Sequence, residues 1–147
     1  MSTPEDQIAA VRVLVRLERL LESAHAGLTV PQYRVMAWIS AGGVRSAVLA
    51  EWLSVRRPTL TAIVDGLVSA GYARRETEPG DRRVVNVFAT DAGRAVLASA
   101  DAVFRERFAQ LLDDVPYGDR IVADLIAIGH GLDARMQSRF GAKTTES

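Results

Sequence analysis

The chain contains no cysteine, which excludes disulfide bridges, thiolate zinc sites and cysteine-based redox sensing. It also has no apolar run long enough to cross a bilayer, and its N-terminus lacks the basic and then apolar pattern of a signal peptide. We therefore expect a cytoplasmic protein with no membrane partner. Its 147 residues are enough for about one domain, and 48% of them are apolar, which is ample material for a core.

Lysine is nearly absent as well. The positive charge comes from 17 arginines and one lysine, and 18 acidic residues bring the formal net charge to zero. A zero net charge argues against a nonspecific coat on nucleic acid, so the positive charge has to be located along the chain. Arginine presents a planar, forked set of donors that suits phosphate and guanine.

Residues that would form a catalytic centre are scarce. The two histidines, His25 and His130, lie far apart, and the sequence shows no metal-ligand spacing, nucleophile motif or glycine-rich phosphate loop. The adjacent acids Asp113 and Asp114 precede a Val-Pro break, where such acids more often cap a helix. The sequence therefore predicts that the protein is not an enzyme and has no metal site or cofactor.

Hydrophobic spacing predicts helices and one hairpin, which is a mainly α class with a small β-hairpin (α+β). Glycine, proline and capping residues set the expected bounds. The helices are predicted over about Glu5–Ala26, from Thr29 to Gly42 with Val35, Met36 and Ile39 inside, over Ala47–Leu53 with Ser46 as N-cap, over Arg57–Ala70, from Thr90 to about Leu112, and along an apolar stripe from Ile121 to Phe140. The strands are predicted over Tyr72–Thr77 and Val84–Ala89, joined by a turn at Pro79-Gly80.

The stretch "SAVLAEWLSVRRPTLTAIVDGLVSAG", residues 46–71, has the spacing of a helix-turn-helix. Ala50 is small where the two helices must approach, and Leu53 and Leu60 are apolar where they must pack. Arg56 and Arg57 begin the second helix, where the helix dipole disfavours positive charge. A DNA phosphate or a guanine edge would supply the missing negative partner.

The next stretch, "RRETEPGDRRVVNVFAT", is a hairpin with two arginine pairs. A hairpin directly after a helix-turn-helix is the wing of a winged helix, and an arginine at its tip can enter a minor groove. We expect Arg82 and Arg83 to face that groove. We expect Arg74 and Arg75 to reach phosphates or to pair with acids of the same hairpin, which are Glu76, Glu78 and Asp81.

These motifs resemble the MarR (multiple antibiotic resistance regulator) type of winged-helix regulators. "LTVPQYRVM" is similar to the family's second helix, the helix-turn-helix to its DNA-recognition unit, and "DRRVVNVFATDAG" to its wing signature. The resemblance implies that the Asp81 carboxylate orients the Arg83 guanidinium for the minor groove. The sequence departs from the family at Arg56, which stands in place of a serine N-cap, at Ala62, in place of a frequent arginine, and at Ala89, in place of a leucine. The predicted DNA-binding residues are Arg56, Arg57, Pro58, Thr59, Thr61, Ala62, Arg74, Arg75, Asp81, Arg82 and Arg83.

The resemblance also implies one domain over residues 1–147. Residues 28–90 would form the DNA-binding lobe, residues 5–27 and 91–140 a helical dimerisation region, and residues 141–147 a flexible tail. The apolar stripes of the first and last helices, and Gly129 and Gly131 within the last one, support a homodimer with close backbone approach.

The function implied is a homodimeric, DNA-binding transcriptional regulator on a pseudo-palindromic operator. It would be a repressor that a small aromatic or phenolic ligand releases. His25, Tyr33, Trp38 and Trp52 are the candidate pocket residues, with ordinary core packing as the other explanation for each. The alternative function is a winged-helix module that binds protein and not DNA; a wing without arginines would have favoured it.

Overall fold

The helices and strands follow the predicted order in the computed structural model, which describes residues 1–143, with side chains to Ser138. The elements are α1 Pro4–Glu22, α2 Val30–Ile39, β1 Val44–Arg45, α3 Ser46–Leu53, α4 Arg57–Ser69, β2 Ala73–Glu78, β3 Asp81–Ala89, α5 Asp91–Asp113 and α6 Gly118–Lys143. This mainly helical chain with one small sheet confirms the predicted fold class. It forms two compact units, Met1–Arg107 and a second that begins at Phe108.

Threonine caps fix the starts of two helices as the sequence predicted. Thr29 and Gln32 form a reciprocal capping box on α2, in which the Thr29 backbone N–H donates to the Gln32 side chain at 3.0 Å. The Thr90 hydroxyl accepts from the Gly93 backbone N–H at 3.0 Å and donates to the Gly71 carbonyl at 2.6 Å. Thr90 therefore caps α5 and also ties it to the turn after α4.

Predicted helix bounds differ from the structure at the start of α3 and at the ends of α1 and α2, and α2 ends at Ile39, three residues before Gly42. Ser46 is the first residue of α3 and not its N-cap; Arg45 holds that position, without a side-chain capping bond. The first helix ends at Glu22, about four residues before the expected Ala26. His25 and Gly27 have φ values of 49° and 82°, and this left-handed backbone cannot continue a right-handed helix.

The sheet has three antiparallel strands in the order β1-β3-β2. The sequence predicted two strands, and β1 is a third, whose Val44 lies opposite Val87 of β3. β3 begins at Asp81, three residues before the expected Val84. The β2–β3 register changes at the wing tip, because Thr77 lies opposite Val85 while Glu78 lies opposite Asp81. Residues 82–84 therefore have no partner on β2, and this segment is called the wing bulge below.

The core of the first unit lies under the helix-turn-helix. It draws on α2, α3, α4, β2, β3 and α5, and Val35, Met36 and Ile39 of α2, which the sequence predicted to be inside, are buried. The largest fully buried side chains are Met36, Ile39, Leu49, Leu67, Val35, Val64 and Val87. Gly93 at the start of α5 packs so closely that a Cβ there would lie 2.0 Å from the Tyr72 carbonyl oxygen.

The stripes of the terminal helices are less buried than the periodicity indicates. No residue of α1 is buried, and Ile8, Val11 and Leu14 are 53–59% exposed. In α6, Ile128 and Leu132 are exposed at 60% and 56%. The predicted contribution of Phe140 lies outside the described side chains. α6 continues to Lys143, past the expected start of the tail at residue 141, and residues 144–147 lie outside the described chain. None of the described helices is long and apolar enough to traverse a bilayer.

Candidate nucleic-acid interface

The turn between α3 and α4 presents the start of α4 to solvent. Ser54 takes a left-handed φ of 55°, and the Val55 backbone N–H donates to the Ala50 carbonyl at 3.0 Å. Leu60 and Val64 bury the inner face of α4. The opposite face is open, since all six residues predicted to meet DNA from this region are exposed. These are Arg56, Arg57, Pro58, Thr59, Thr61 and Ala62.

Thr61 has a defined hydrogen-bonding state. Its hydroxyl donates to the Arg57 carbonyl at 2.9 Å, one helical turn earlier. The hydroxyl proton is thus used within the helix, and the oxygen keeps its lone pairs. Thr61 is therefore oriented to accept a hydrogen bond from a ligand or to contact it through its methyl group.

The stem arginines of the hairpin have protein partners on opposite faces of the sheet. Arg74 forms an ion pair with Glu76, and its guanidinium lies 4.6 Å from the centre of the Phe88 ring. Arg75 points the other way and pairs with Asp65 of α4 at 2.6 Å. Arg74 thus has its partner within the hairpin and Arg75 has its partner outside it, because alternate residues of a strand face opposite sides. Contact of either arginine with a phosphate stays a prediction.

The guanidinium groups of four other arginines of this surface have no acidic partner among the described side chains. Arg56 and Arg57 at the start of α4, and Arg82 and Arg83 in the wing bulge, are exposed. Among the side chains that the structure describes, none of these four forms an ion pair. Their positive charge therefore faces solvent at two neighbouring elements, and it is available to a polyanion.

The wing pair has a different geometry from the one that the resemblance implied. The Asp81 carboxylate accepts from the backbone N–H of Arg83 at 2.9 Å. No bond from Asp81 to the Arg83 guanidinium occurs among the described contacts. In the free chain, Asp81 thus stabilises the backbone of the wing bulge and leaves the Arg83 side chain uncommitted.

A concavity of about 640 Å³ separates the wing from α4 and from the start of α3. Four arginines line it, and Asp65 is the acid among its lining residues. The arginines are Arg45, Arg57, Arg75 and Arg83. The surface that joins the helix-turn-helix to the wing is therefore positive within the concavity as well as at its edges.

The four candidate pocket residues make separate contacts. The Tyr33 hydroxyl donates to Asp101 of α5 at 2.6 Å, and the Tyr33 ring meets Phe104 edge-on at 4.8 Å. Burial, and then the bond to Asp101, raise the pKa of Tyr33 to about 12.

The two tryptophans, Trp38 and Trp52, pack against each other at 5.2 Å, and His25 is exposed on its turn. The described concavity is lined by none of the four. In the single chain, Tyr33 and the tryptophans therefore have packing roles, and a shared ligand pocket stays a prediction.

Two residues of this surface were not predicted from the sequence. Arg45 pairs with Glu78 at 3.1 Å, and Asp65 pairs with Arg75. Arg45 could have been singled out from the sequence, because, like Arg56, it places a positive charge at a helix N-terminus, where the helix dipole disfavours it. Asp65 carries none, since its partner is ten residues away and is set by the packing of β2 on α4.

A model of the MarR family matches residues 26–84, which cover α2, β1, the helix-turn-helix and the wing bulge. Over this segment the chain is similar to the MarR family, as its motifs indicated. Among curated proteins it is similar to the HTH-type transcriptional regulator TtmR of Methylorubrum extorquens, with 32% identity over 54% of this chain and 42% of that protein. The chain spans about half the length of the curated relatives it matches.

Solved structures agree with this fold. A MarR-family regulator from Rhodococcus sp. RHA1 superposes with a TM-score of 0.74 at 22% identity, over 87% of this chain and 93% of that one. A structure described as a mutant MarR from E. coli complexed with operator DNA superposes with a TM-score of 0.64 at 23% identity, over 87% and 98% of the two chains. The curated relatives are named transcriptional regulators, and this agrees with the prediction that the chain is not an enzyme.

Proposed function

We propose that this protein is a MarR-type, homodimeric transcriptional regulator that acts in the cytoplasm and binds double-stranded DNA through α4 and the wing. The observation that carries the proposal is the group of exposed arginines without ion-pair partners among the described side chains, two at the start of α4 and two in the wing bulge. Uncompensated positive charge on adjacent elements is favourable next to phosphate, because binding releases condensed counterions.

Each element would contact DNA differently. The start of α4 would enter the major groove, where Arg56 and Arg57 meet phosphates or guanine edges and the exposed Pro58, Thr59, Thr61 and Ala62 lie over bases. The wing bulge would place Arg82 and Arg83 at a minor groove. Arg74 and Arg75 have protein partners in the free chain, so they would add to the positive potential and reach phosphates only by exchanging those partners.

The homodimer is supported by apolar surface that the single chain leaves in water. Ile8, Val11 and Leu14 share one face of α1 at three-residue steps, and all three are exposed. Ile128 and Leu132 are an exposed apolar pair on α6. Burial of apolar surface contributes about 25 cal/mol per Å², so a second copy that covers these stripes would stabilise both chains. Two-fold symmetry would then match a pseudo-palindromic operator.

The mode of regulation is proposed from the similarity to the MarR family. The protein would repress genes whose operator it occupies, and a small aromatic or phenolic effector would release it. Tyr33 is the best placed of the candidate contacts, because it connects α2 of the DNA-binding lobe to α5 through Asp101. A ligand that displaced this bond would act on both elements at once.

The experiment that tests the proposal is selection of bound fragments from a random or genomic DNA pool. We expect an enriched inverted repeat whose half-sites are spaced by about one helical turn or a multiple of it. A folded protein that enriches no sequence would contradict DNA recognition and would favour the protein-binding module. The quadruple variant that replaces Arg56, Arg57, Arg82 and Arg83 with alanine is the control, and it should enrich nothing.

A further inference from the structure

The wing bulge is poorly held by the sheet itself. Residues 82–84 have no partner on β2, because the register jumps between Thr77 and Glu78. The Arg83 backbone N–H donates to Asp81, and this bond is local to the hairpin. The pairing of β2 with β3 therefore holds the stem of the wing in place. The direction of the tip, which carries Arg82 and Arg83, depends on other contacts.

Apolar packing does not hold the tip either. The concavity of about 640 Å³ lies between the wing and the helices, and Arg83, Val84 and Val85 form its wing side. Two side-chain ion pairs cross from the wing to the rest of the lobe among the described residues. Arg75 reaches Asp65 from the middle of β2, and Glu78 reaches Arg45 from the point where the register breaks.

The partner of Glu78 is placed to act on the helix-turn-helix. Arg45 is the N-cap of α3, which has no side-chain cap and no acidic residue in its first turn. Positive charge at that end is disfavoured by the helix dipole, and the Glu78 carboxylate supplies the compensating negative charge. One nitrogen of Arg45 lies 3.1 Å and 3.5 Å from the two carboxylate oxygens.

We propose that the Arg45–Glu78 ion pair is a brace that fixes the wing bulge, and with it Arg82 and Arg83, relative to α3 and α4. The proposal assigns positioning roles to two residues outside the expected DNA contacts, and it rests on the proposed DNA-binding function. The pair is largely exposed, with side chains 58% and 39% accessible, so its loss should change global stability little. Loss of the pair should instead make the wing bulge less ordered and lower the affinity for DNA.

The diagnostic variant is Glu78→Gln, because the brace and simple electrostatics predict changes of opposite sign in the affinity for DNA. Removing a negative charge beside the DNA-binding surface raises the attraction to phosphate, so electrostatics alone predicts tighter binding. If Arg45 contacted DNA directly, freeing it from Glu78 would also favour binding. The brace predicts that the selected duplex binds roughly 3- to 10-fold more weakly, a fraction of the cost of losing an arginine contact.

Three further variants complete the design. Arg45→Gln should weaken binding in the same way, and the exchange Arg45→Glu with Glu78→Arg should restore affinity to within about twofold, since the pair is rebuilt in reverse. Asp124→Asn is the matched control for the loss of one acid, taken from another exposed ion pair, Arg120–Asp124 on α6. At protein concentrations where sedimentation shows this variant to be as dimeric as the wild type, it should leave binding unchanged.

A second readout needs no DNA. Backbone ¹⁵N order parameters of Arg82 and Arg83 in the free protein should fall in Glu78→Gln and Arg45→Gln and recover in the exchange variant. The melting temperature should drop by no more than about 4 °C in either single variant. Unchanged order parameters would overturn the brace whatever the affinities do, and so would undiminished binding by Glu78→Gln. If the wild-type protein selected no duplex, the proposed function would fail while the order parameters still decided the brace.

Discussion

Replacing Arg83 with alanine is the most informative single change at the wing. The guanidinium is exposed, lines the concavity beside α4, and has no ion-pair partner among the described side chains. Its loss should therefore leave the fold intact, because no ion pair has to be broken. The change removes one cation from a bulge that we place at a minor groove, where groove width and potential are recognised more than base identity.

The magnitude follows from that placement. Loss of a groove-bound arginine should weaken operator binding by roughly 1–3 kcal/mol, or about 5- to 150-fold in Kd. The slope of log K against log salt should flatten by about 0.9 if one phosphate contact is lost. Base preference within the half-sites should persist, because α4 provides it.

Arg74→Ala is the matched control, since it removes the same charge from the same hairpin. Its guanidinium is already paired with Glu76 and stacked on Phe88, so we expect a loss well below that of Arg83→Ala. The assay is titration of the selected duplex with each variant at two salt concentrations. Equal losses for the two variants would mean that only total charge matters, and unchanged binding by Arg83→Ala would refute the wing assignment.

The remaining predictions concern packing, ionisation and assembly. Gly93→Ala places a Cβ 2.0 Å from a backbone oxygen that cannot move away, so thermal denaturation should show a loss of at least roughly 1–3 kcal/mol in the free energy of unfolding. Gly42→Ala is the control; it has open space around it and should melt like wild type. The raised pKa of Tyr33, about 12, means that the stability it contributes is complete below pH 10 and is lost between about pH 10 and 12. Ultraviolet titration should show a late tyrosinate that Tyr33→Phe removes; a titration curve whose last phase is the same in wild type and Tyr33→Phe would contradict this. Sedimentation should give twice the 15.9 kDa chain mass, and Leu14→Glu should weaken the dimer, while a well-folded wild-type monomer at micromolar concentration would exclude it.

Features set by neighbouring residues could be predicted from the sequence. Thr29 caps α2 and Thr90 caps α5 as expected, since a capping bond spans three residues. The buried faces of α2 and α4 follow from helical periodicity in the same way. The bounds that failed depend on single backbone angles, such as the positive φ of His25.

The site was predicted less completely, because its geometry depends on tertiary contacts. The sequence placed the arginines at α4 and at the wing, but it could not show which of them have partners. Asp65 and Arg75 meet only when β2 packs on α4, and Arg45 and Glu78 are 33 residues apart. The apolar stripes of the terminal helices show a different limit of sequence reasoning. Apolar periodicity identifies a helix face that should be buried, but it does not say which chain buries it. Val11 and Leu14 are exposed in the single chain, and a partner chain would cover them.

The central claim is that the start of α4 and the wing bulge bind DNA. The most direct measurement is amide hydrogen exchange and chemical-shift change along the whole chain, with and without the selected duplex. We predict that the changes concentrate at residues 56–62 and 81–84, with a scrambled duplex of equal length giving smaller changes at residues 56–62. Binding of the selected duplex with these two segments unaffected, and with the changes located elsewhere on the chain, would contradict the account.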